Sequence, residues 1–243
     1  MTDTPASPRT ILVLHGGGGP ATVAPIAAHF ADSANVLAPT LPGWNGTPRP
    51  ESLDSARALA VHFLALLADA SLRDVVVIGS SLGGWIAAEM ALADTDGRVG
   101  GIALIDAAGI AVPGQPIRDI SGLSPREIAR FSFHDPSKLV VPPPTPEGLA
   151  IVRGNQAALA AVAGDPYMHD PTLLGRLDDA RVPALVVWGD SDGVVTPDYG
   201  RAFAAAIPGA RFELIAEAGH LPQLENPAAL FAVLDGFVSA SVA

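Results

Sequence analysis

The chain has 243 residues, of which 49% are hydrophobic and 16% are charged, and it carries a formal net charge of −11 with no cysteine. This composition is typical of a folded domain with a full core. It lacks the basic footprint of a nucleic-acid-binding protein, and the missing cysteines exclude disulfides, thiolate catalysis and thiolate zinc sites.

The first residues, MTDTPASPRT, are polar and lack the basic and then apolar pattern of a signal peptide. The apolar runs along the chain are shorter than the ~18 residues of a membrane span. We therefore expect a cytoplasmic protein with no nucleic-acid and no membrane partner. The composition leaves the oligomeric state open.

Six short apolar runs predict strands. They are Thr10–His15, Asn35–Ala38, Asp74–Gly79, Val99–Asp106, Ala184–Gly189 and Ala210–Ile215. Most are continuously apolar, as expected of parallel strands covered on both faces. Helical patterns over 52–70 and 82–94 lie between them, and Thr196-Pro197 and Asn226-Pro227 predict further helix starts. The alternation predicts an α/β fold, a doubly wound and mainly parallel six-stranded sheet with helices on both faces.

The alternation stops between Asp106 and Pro183, where helix starts are predicted instead. Ser124 and Glu127 have the spacing of a capping box, and Thr145-Pro146 opens a run to about residue 163. We predict that residues 110–180 form a small helical cap over the strand ends, with 1–109 and 181–243 as the core. Apolar cap residues predict either an apolar substrate group or ordinary packing: Ile117, Ile128, Phe131, Phe133, Leu139, Val140 and Val141.

The segment VVVIGSSLGGW joins a predicted strand to a predicted helix and contains two adjacent serines. A serine on a sharp turn of this kind crowds the positions two before and two after it, so both favour glycine. Ser81 meets this requirement with Gly79 and Gly83, and Ser80 does not. Ser81 is therefore the predicted nucleophile, with an ordinary tight turn as the alternative, and Ser80 is predicted to pack beneath it.

A serine nucleophile needs a base and an acid. Among six histidines, His220 lies in a loop directly after the last predicted strand, at the same sheet edge as Ser81, and is the predicted base. The predicted acid is Asp192 in WGDSDGVV, because it lies deep enough in its loop to reach across. Asp190 and Asp106 remain alternatives.

A glycine loop, HGGGGPA, follows the first predicted strand. A dinucleotide site would need an acidic residue about 20 positions later, and VLAPTLPG holds none. The loop also lacks the Gly-Lys-Ser/Thr of a phosphate-binding loop. We predict instead that the N–H groups of Gly17 and Leu82 form an oxyanion hole, with Gly18 as the alternative to Gly17.

Four residues close to these motifs are predicted to line a substrate pocket, and ordinary packing explains each of the apolar ones equally well. They are Gly18, Trp44, Trp85 and Leu221. The DSDG string resembles the start of a calcium loop but lacks the later glutamate, so no metal is expected. No cofactor is expected either.

The segments HGGGG, LPGWNGTP, GSSLGG, WGDSD and GHLPQLENP, in this order, resemble the α/β-hydrolase superfamily over nearly the whole chain. The resemblance implies a nucleophile after a central strand, a Ser-Asp-His order and a helical cap. Those roles fall on Ser81, Asp192 and His220, with Gly17 and Leu82 at the oxyanion hole.

The chain departs from the family pattern in two places. Thr40 stands where an aspartate is common, and the first strand begins too early for the usual N-terminal hairpin. We therefore expect six parallel strands in the order 2-1-3-4-5-6, with no antiparallel strand from residues 1–8.

The serine at position 81 distinguishes this chain from haloalkane dehalogenases and epoxide hydrolases, which resemble it in outline and have an aspartate there.

The predicted function is a cofactor-independent serine hydrolase acting on a small-molecule substrate, a carboxylesterase for small to medium apolar esters that forms an acyl-enzyme. One alternative is a carbon–carbon bond hydrolase with the same triad. A second is a weakly catalytic small-molecule receptor on this fold.

Overall fold

A computed structural model describes residues 9–138 and 145–240. Its strands are Thr10–Leu14 (β1), Asn35–Leu37 (β2), Val75–Ser80 (β3), Val99–Ile105 (β4), Ala184–Gly189 (β5) and Arg211–Ile215 (β6). They form one sheet in the order β2-β1-β3-β4-β5-β6, and every neighbouring pair is parallel. The predicted sheet and its strand order are confirmed. The expectation for residues 1–8 lies outside the described residues.

The helices of the described chain are Ala24–Phe30 (α1), Ala56–Asp69 (α2), Leu82–Ala93 (α3), Pro125–Ser132 (α4), Pro146–Ala163 (α5), Leu173–Arg176 (α6), Pro197–Ala206 (α7), Pro222–Glu225 (α8) and Pro227–Ala240 (α9). Several begin where the sequence predicts. Ser124 and Glu127 form the complete capping box of α4, and the Thr196 hydroxyl accepts from the Tyr199 N–H. Helix α2 begins later than predicted because the Ser55 hydroxyl caps it by accepting from the Ala58 N–H.

Alternate strand residues face two separate apolar layers. In β3, Val76 and Ile78 pack into the layer formed with α1 and α9. Val75 and Val77 pack into the opposite layer, formed with α2, α3 and α7. Because side chains alternate along a strand, a sheet covered on both faces requires apolar residues at every position. All six residues of β3 are buried accordingly.

Helices α4, α5 and α6 lie between β4 and β5 in the chain and contact the core at separate points. The Asn155 Oδ1 of α5 accepts from the Asn45 N–H at 2.8 Å. Arg176 of α6 donates two hydrogen bonds, of 2.9 and 2.6 Å, to the buried carboxylate of Glu89 in α3. The predicted cap residues Leu139, Val140 and Val141 lie outside the described residues.

None of the described helices combines the length and the apolar character that crossing a bilayer requires.

Candidate active site

The strand order reverses direction between β1 and β3, because β2 lies on one side of β1 and the later strands follow on the other. At such a point the loops after the two strands diverge to opposite faces of the sheet and leave a crevice at its carboxyl edge. The glycine loop follows β1 and Ser81 follows β3, so both border this crevice.

Ser81 has a backbone conformation that residues other than glycine rarely adopt, with φ 55° and ψ −116°. The turn brings the chain into close contact on both sides. A Cβ added to Gly79 would lie 2.1 Å from the Gly83 carbonyl oxygen, and one added to Gly83 would lie 2.2 Å from the Leu14 carbonyl oxygen. Glycine at both positions is therefore a steric requirement of this turn.

Three predicted side chains meet beside the crevice. The Ser81 hydroxyl lies 3.0 Å from His220 Nε2, and His220 Nδ1 lies 2.7 Å from Asp192 Oδ2. Because the Asp192 carboxylate accepts a hydrogen bond from Nδ1–H, the proton of the neutral imidazole lies on Nδ1. Nε2 is therefore the acceptor of a hydrogen bond from the Ser81 hydroxyl. The arrangement can move a proton from a serine hydroxyl to an imidazole that a buried carboxylate holds in one tautomer.

Asp192 and its neighbour Asp190 have different surroundings. Asp192 is 4% exposed, and its Oδ1 accepts from the N–H groups of Val194 and Val195 at 2.7 and 3.1 Å. Asp190 is exposed, and its carboxylate accepts from the Ser191 hydroxyl and the Glu217 N–H. The loop thus directs Asp192 toward His220 and Asp190 away from it.

His15 supports the glycine loop from below. Its Nε2 accepts from the Leu41 N–H at 2.9 Å, so Nδ1 carries the proton and donates to the Gly16 carbonyl oxygen at 2.7 Å. Burial lowers the pKa of His15 to about 4, with the bond to Gly16 opposing that shift. A neutral His15 therefore holds the glycine loop against the segment that follows β2.

The two N–H groups predicted for an oxyanion hole have no backbone acceptor in the part of the chain that the structure describes. Within the described chain, neither the Gly17 N–H nor the Leu82 N–H donates to another backbone group outside the regular elements. Leu82 is the first residue of α3, so its N–H has no partner within the helix. A Cβ added to Gly16 would lie 2.8 Å from the Ser81 Cβ, which places the glycine loop directly against the candidate nucleophile.

The residues predicted to line a pocket lie in different environments. Trp44 is fully buried and donates its indole N–H to the Gly17 carbonyl oxygen at 3.0 Å, so it braces the glycine loop. Trp85 is 5% exposed and lies against Gly109. Gly18 is exposed beside Thr22, and Leu221 is half-buried at the start of α8.

The sequence did not point to Leu159, a half-buried residue of α5 that reaches this region. A Cβ added to Gly17 would lie 2.9 Å from Leu159 Cδ2. Helix α5 thus places an aliphatic side chain on the loop predicted to bind an oxyanion. Its position in α5 gave no local signal, because the contact spans more than a hundred residues of chain.

Glu225 is a second residue whose role the sequence did not predict. Its carboxylate accepts from the N–H groups of Gly219, His134 and Asp135 at 2.7, 3.0 and 3.1 Å. The His220 N–H in turn donates to the Ser132 carbonyl oxygen at 2.8 Å. The loop that carries His220 is therefore fastened to the end of α4.

Asp106, Asp192 and His220 have ligand atoms within 4.8 Å of one another, a spacing that a metal ion could bridge. Both ring nitrogens of His220 already face hydrogen-bond partners, and Asp192 Oδ1 accepts from two backbone N–H groups. The cluster therefore fits a proton relay better than a coordination sphere.

The sheet, the strand–turn–helix serine and the buried relay together define the class as a hydrolase of the α/β type. Residues 11–233 match the model of the alpha/beta hydrolase family. The chain belongs to the alpha/beta hydrolase family.

Two relatives and one solved structure are named as a hydrolase, a lipase and an esterase, and each has low sequence identity to this chain. The chain is 27% identical to a 2-hydroxy-6-oxononadienedioate/2-hydroxy-6-oxononatrienedioate hydrolase of Cupriavidus pinatubonensis, over 92% of this chain and 84% of that protein. It is 26% identical to Lipase 3 of a Moraxella species, over 88% and 72% of the two chains. A thermophilic esterase from Thermogutta terrifontis shares the fold, with a TM-score of 0.74 at 22% identity and coverage of 98% and 92%.

Proposed function

We propose that the chain is a cofactor-independent serine hydrolase that cleaves small to medium apolar carboxylic esters through an acyl-enzyme. The observation that carries the proposal is the continuous chain of hydrogen bonds from Ser81 Oγ through His220 to Asp192, with distances of 3.0 and 2.7 Å. The serine end of this chain lies beside the glycine loop, and we assign the N–H groups of Gly17 and Leu82 to the developing oxyanion.

In the first half of the reaction, Ser81 Oγ attacks the ester carbonyl carbon while its proton passes to His220 Nε2. The N–H groups of Gly17 and Leu82 donate to the oxyanion of the tetrahedral intermediate. The intermediate collapses, the C–O bond to the alcohol breaks, and the leaving alkoxide takes the proton from His220 Nε2. Asp192 holds the imidazole in its tautomer and stabilises the imidazolium.

In the second half, water gives a proton to His220 Nε2 and attacks the acyl carbon on Ser81. The second tetrahedral intermediate releases the carboxylic acid, and the proton returns to Ser81 Oγ. Every group this cycle needs is supplied by the chain or by water, and no cofactor takes part.

The apolar ester is supported by the cap contact at the glycine loop and by relatives in the same family. Leu159 presents an aliphatic surface beside Gly17, and if Gly17 binds the oxyanion, an apolar group attached to the carbonyl carbon would pack against it. Lipase 3 of Moraxella is a relative whose name denotes ester cleavage.

The decisive test uses p-nitrophenyl esters and a fluorophosphonate probe. Ser81→Ala is expected to lower kcat by at least about 10⁴-fold and to abolish the mass adduct that the probe leaves on Ser81. Ser80→Ala is the matched control, and it should keep both the activity and the adduct. A wild-type protein that forms no adduct would favour a small-molecule receptor instead.

A second pair of variants tests the acid. Asp192→Asn is expected to lower kcat by about 10³- to 10⁴-fold, because the imidazole loses its fixed tautomer. Asp190→Asn, which lies two residues away and faces Glu217, should stay within about threefold of wild type. The reverse result would assign the acid to Asp190.

A carbon–carbon bond hydrolase is the second candidate, because the relative from Cupriavidus pinatubonensis is named as a hydrolase of 2-hydroxy-6-oxononadienedioate, a compound whose name denotes a ketone and no ester. Purified protein tested against an ester, lactone, amide and vinylogous diketone panel would separate the two. A kcat/KM for the diketone that exceeds the best ester by tenfold or more would favour the second candidate.

A further inference from the structure

Asp106 is a buried carboxyl group that the proposed reaction does not use. It follows β4 directly, is 0% exposed and has a left-handed backbone with φ 46°. Its Oδ1 accepts from the Gly189 N–H at 2.9 Å. Its Oδ2 is buried and has no hydrogen-bond donor among the described residues. An ionised carboxylate with one bare oxygen in such a place is costly, since a buried charge requires partners.

The nearest acidic neighbour of Asp106 is the Asp192 carboxyl group. Oxygens of the two side chains and a ring nitrogen of His220 lie within 4.8 Å of one another. Two carboxylates at this separation in a buried site cannot both remain ionised without a large repulsion. This repulsion favours a proton on one of the two carboxyl groups.

The hydrogen bonds decide which carboxyl group is ionised. Asp192 receives three donors, namely the Val194 N–H, the Val195 N–H and His220 Nδ1. Asp106 receives one, from Gly189. Donors stabilise the charged form of a carboxyl group, so the difference in donor number favours the proton on Asp106.

Electrostatics agree with this count. Burial raises the pKa of Asp106 well above its ordinary value, and the charges of Asp192 and Glu225 raise it further, against the lowering effect of the Gly189 N–H. The charged and titratable groups facing Asp106 are Asp192, Glu225 and His220.

We propose that Asp106 is a neutral carboxylic acid at pH 7 that donates a hydrogen bond from its Oδ2 to the Asp192 carboxylate and so acts as a positioning residue behind His220. The proton gives Asp106 Oδ2 a hydrogen-bond partner and gives the Asp192 carboxylate a further donor. A single negative charge, on Asp192, then lies next to His220. The hydrogen bond from Asp106 spreads part of this charge away from the histidine. The positioning role rests on the proposed function, whereas the protonation state of Asp106 does not.

The first experiment measures the proton directly and does not depend on activity. The infrared spectrum of the wild-type protein at pH 7 should contain a carboxylic-acid C=O stretch that shifts in D₂O. The band should be lost in Asp106→Asn and retained in Asp190→Asn, the exposed control in a neighbouring loop. A wild-type spectrum without the band overturns the proposal, and so does a band that persists in Asp106→Asn. If Asp106→Asn does not fold, Asp106→Glu keeps the acid and should shift the frequency of the band, and a band unchanged in Asp106→Glu overturns the proposal.

The second experiment uses the pH profile of kcat/KM for ester hydrolysis. In Asp106→Asn an amide N–H can replace the acid as donor, so the acidic limb should stay within about 0.3 pH units of wild type. Asp106→Leu removes the donor, so more of the negative charge on the Asp192 carboxylate faces His220, and the acidic limb should move to higher pH. An ionised Asp106 predicts the opposite, because removing a negative charge near His220 would move the limb to lower pH in both variants.

A failure of the proposed function and a failure of the role of Asp106 give different results. Ester activity that does not depend on Ser81 would contradict the proposed function and leave the infrared result standing. An intact dependence on Ser81, together with a missing infrared band, would contradict the role of Asp106 alone.

Discussion

The side chain of Ser81 reaches His220 because the backbone beneath it is held in a strained conformation. Its φ of 55° and ψ of −116° cost about 1–3 kcal/mol relative to an ordinary conformation. Close packing of three backbone segments maintains it, since Gly79 lies against Gly83 and Gly83 lies against Leu14. The position of the hydroxyl therefore depends on glycines that take no part in chemistry.

Gly83→Ala is expected to destabilise the protein by about 3 kcal/mol or more, because its Cβ would lie 2.2 Å from a backbone carbonyl oxygen that cannot move aside. Gly236→Ala is the matched control in the exposed part of α9, where nothing lies within 4 Å of the added Cβ. It should stabilise by about 0.5–1 kcal/mol through helix propensity. Urea unfolding measures both, and equal effects would contradict the steric argument.

The neutrality of His15 predicts a specific loss of stability in acid. Its pKa is about 4 in the folded protein and higher in the unfolded chain, so the unfolded state binds the proton first as the pH falls. The contribution of His15 is complete above about pH 6.5 and is lost on going down to pH 4, by about 3 kcal/mol.

His15→Gln, which carries no charge at any of these pH values, is the variant that isolates this loss. It should be less stable than wild type at pH 7.5, because the bonds to Gly16 and Leu41 are disturbed. The difference in unfolding free energy between wild type and His15→Gln should be smaller at pH 4 than at pH 7.5, by about 3 kcal/mol. A gap that is constant with pH would show that His15 titrates normally.

At the residue scale, the sequence was informative wherever the constraint is local. Ser81 and its two glycines lie within five residues, and a turn of that kind has a sequence signature. The environments of Asp106 and Glu225 have none, since they are made by contacts such as Asp106 with Gly189 and His134 with Glu225, which are 83 and 91 residues apart. Reasoning from neighbours in sequence does not reach them.

At the scale of helices and strands, capping chemistry placed the helix starts better than apolar periodicity did. The starts of α4, α5 and α7 follow from a serine or threonine before a proline. Periodicity alone started α2 at residue 52, whereas the hydrogen bond to Ser55 starts it at Ala56. Periodicity reports which face is buried, and the cap reports where the helix begins.

At the contact between α3 and α6, we expect the loss of one arginine to lower the unfolding free energy strongly. Glu89 is 2% exposed at its side chain, and Arg176 is its bidentate partner. Arg176→Met leaves that carboxylate buried without a cation and should cost about 3 kcal/mol of unfolding free energy. Arg181→Met, which removes an exposed pair with Asp179 at 3.5 Å, should cost less than about 0.5 kcal/mol. Similar losses in the two variants would contradict a special role for the buried pair.

At the scale of the whole molecule, the alternation of strands and helices predicted the sheet, and the reversal of strand order determines where its crevice lies. The contacts of the inserted helices could not be predicted in the same way. They meet the core through separate pairs, such as Asn155 with Asn45 and Arg176 with Glu89. Because these contacts join residues far apart in the chain, the sequence indicates the class of reaction more clearly than the shape of the site.

Leu159 is the residue through which α5 should act on substrate choice, because its Cδ2 lies 2.9 Å from the position of a Cβ on Gly17. Leu159→Ala opens space beside the proposed oxyanion hole, and it should raise the ratio of kcat/KM for p-nitrophenyl octanoate over p-nitrophenyl acetate by about tenfold. Leu149→Ala, on the exposed end of the same helix, is the matched control, and its ratio should stay within about twofold of wild type. If both variants change the ratio alike, the effect comes from loosening of α5 as a whole. If neither does, the acyl group lies away from the cap, and the selectivity arises in the core.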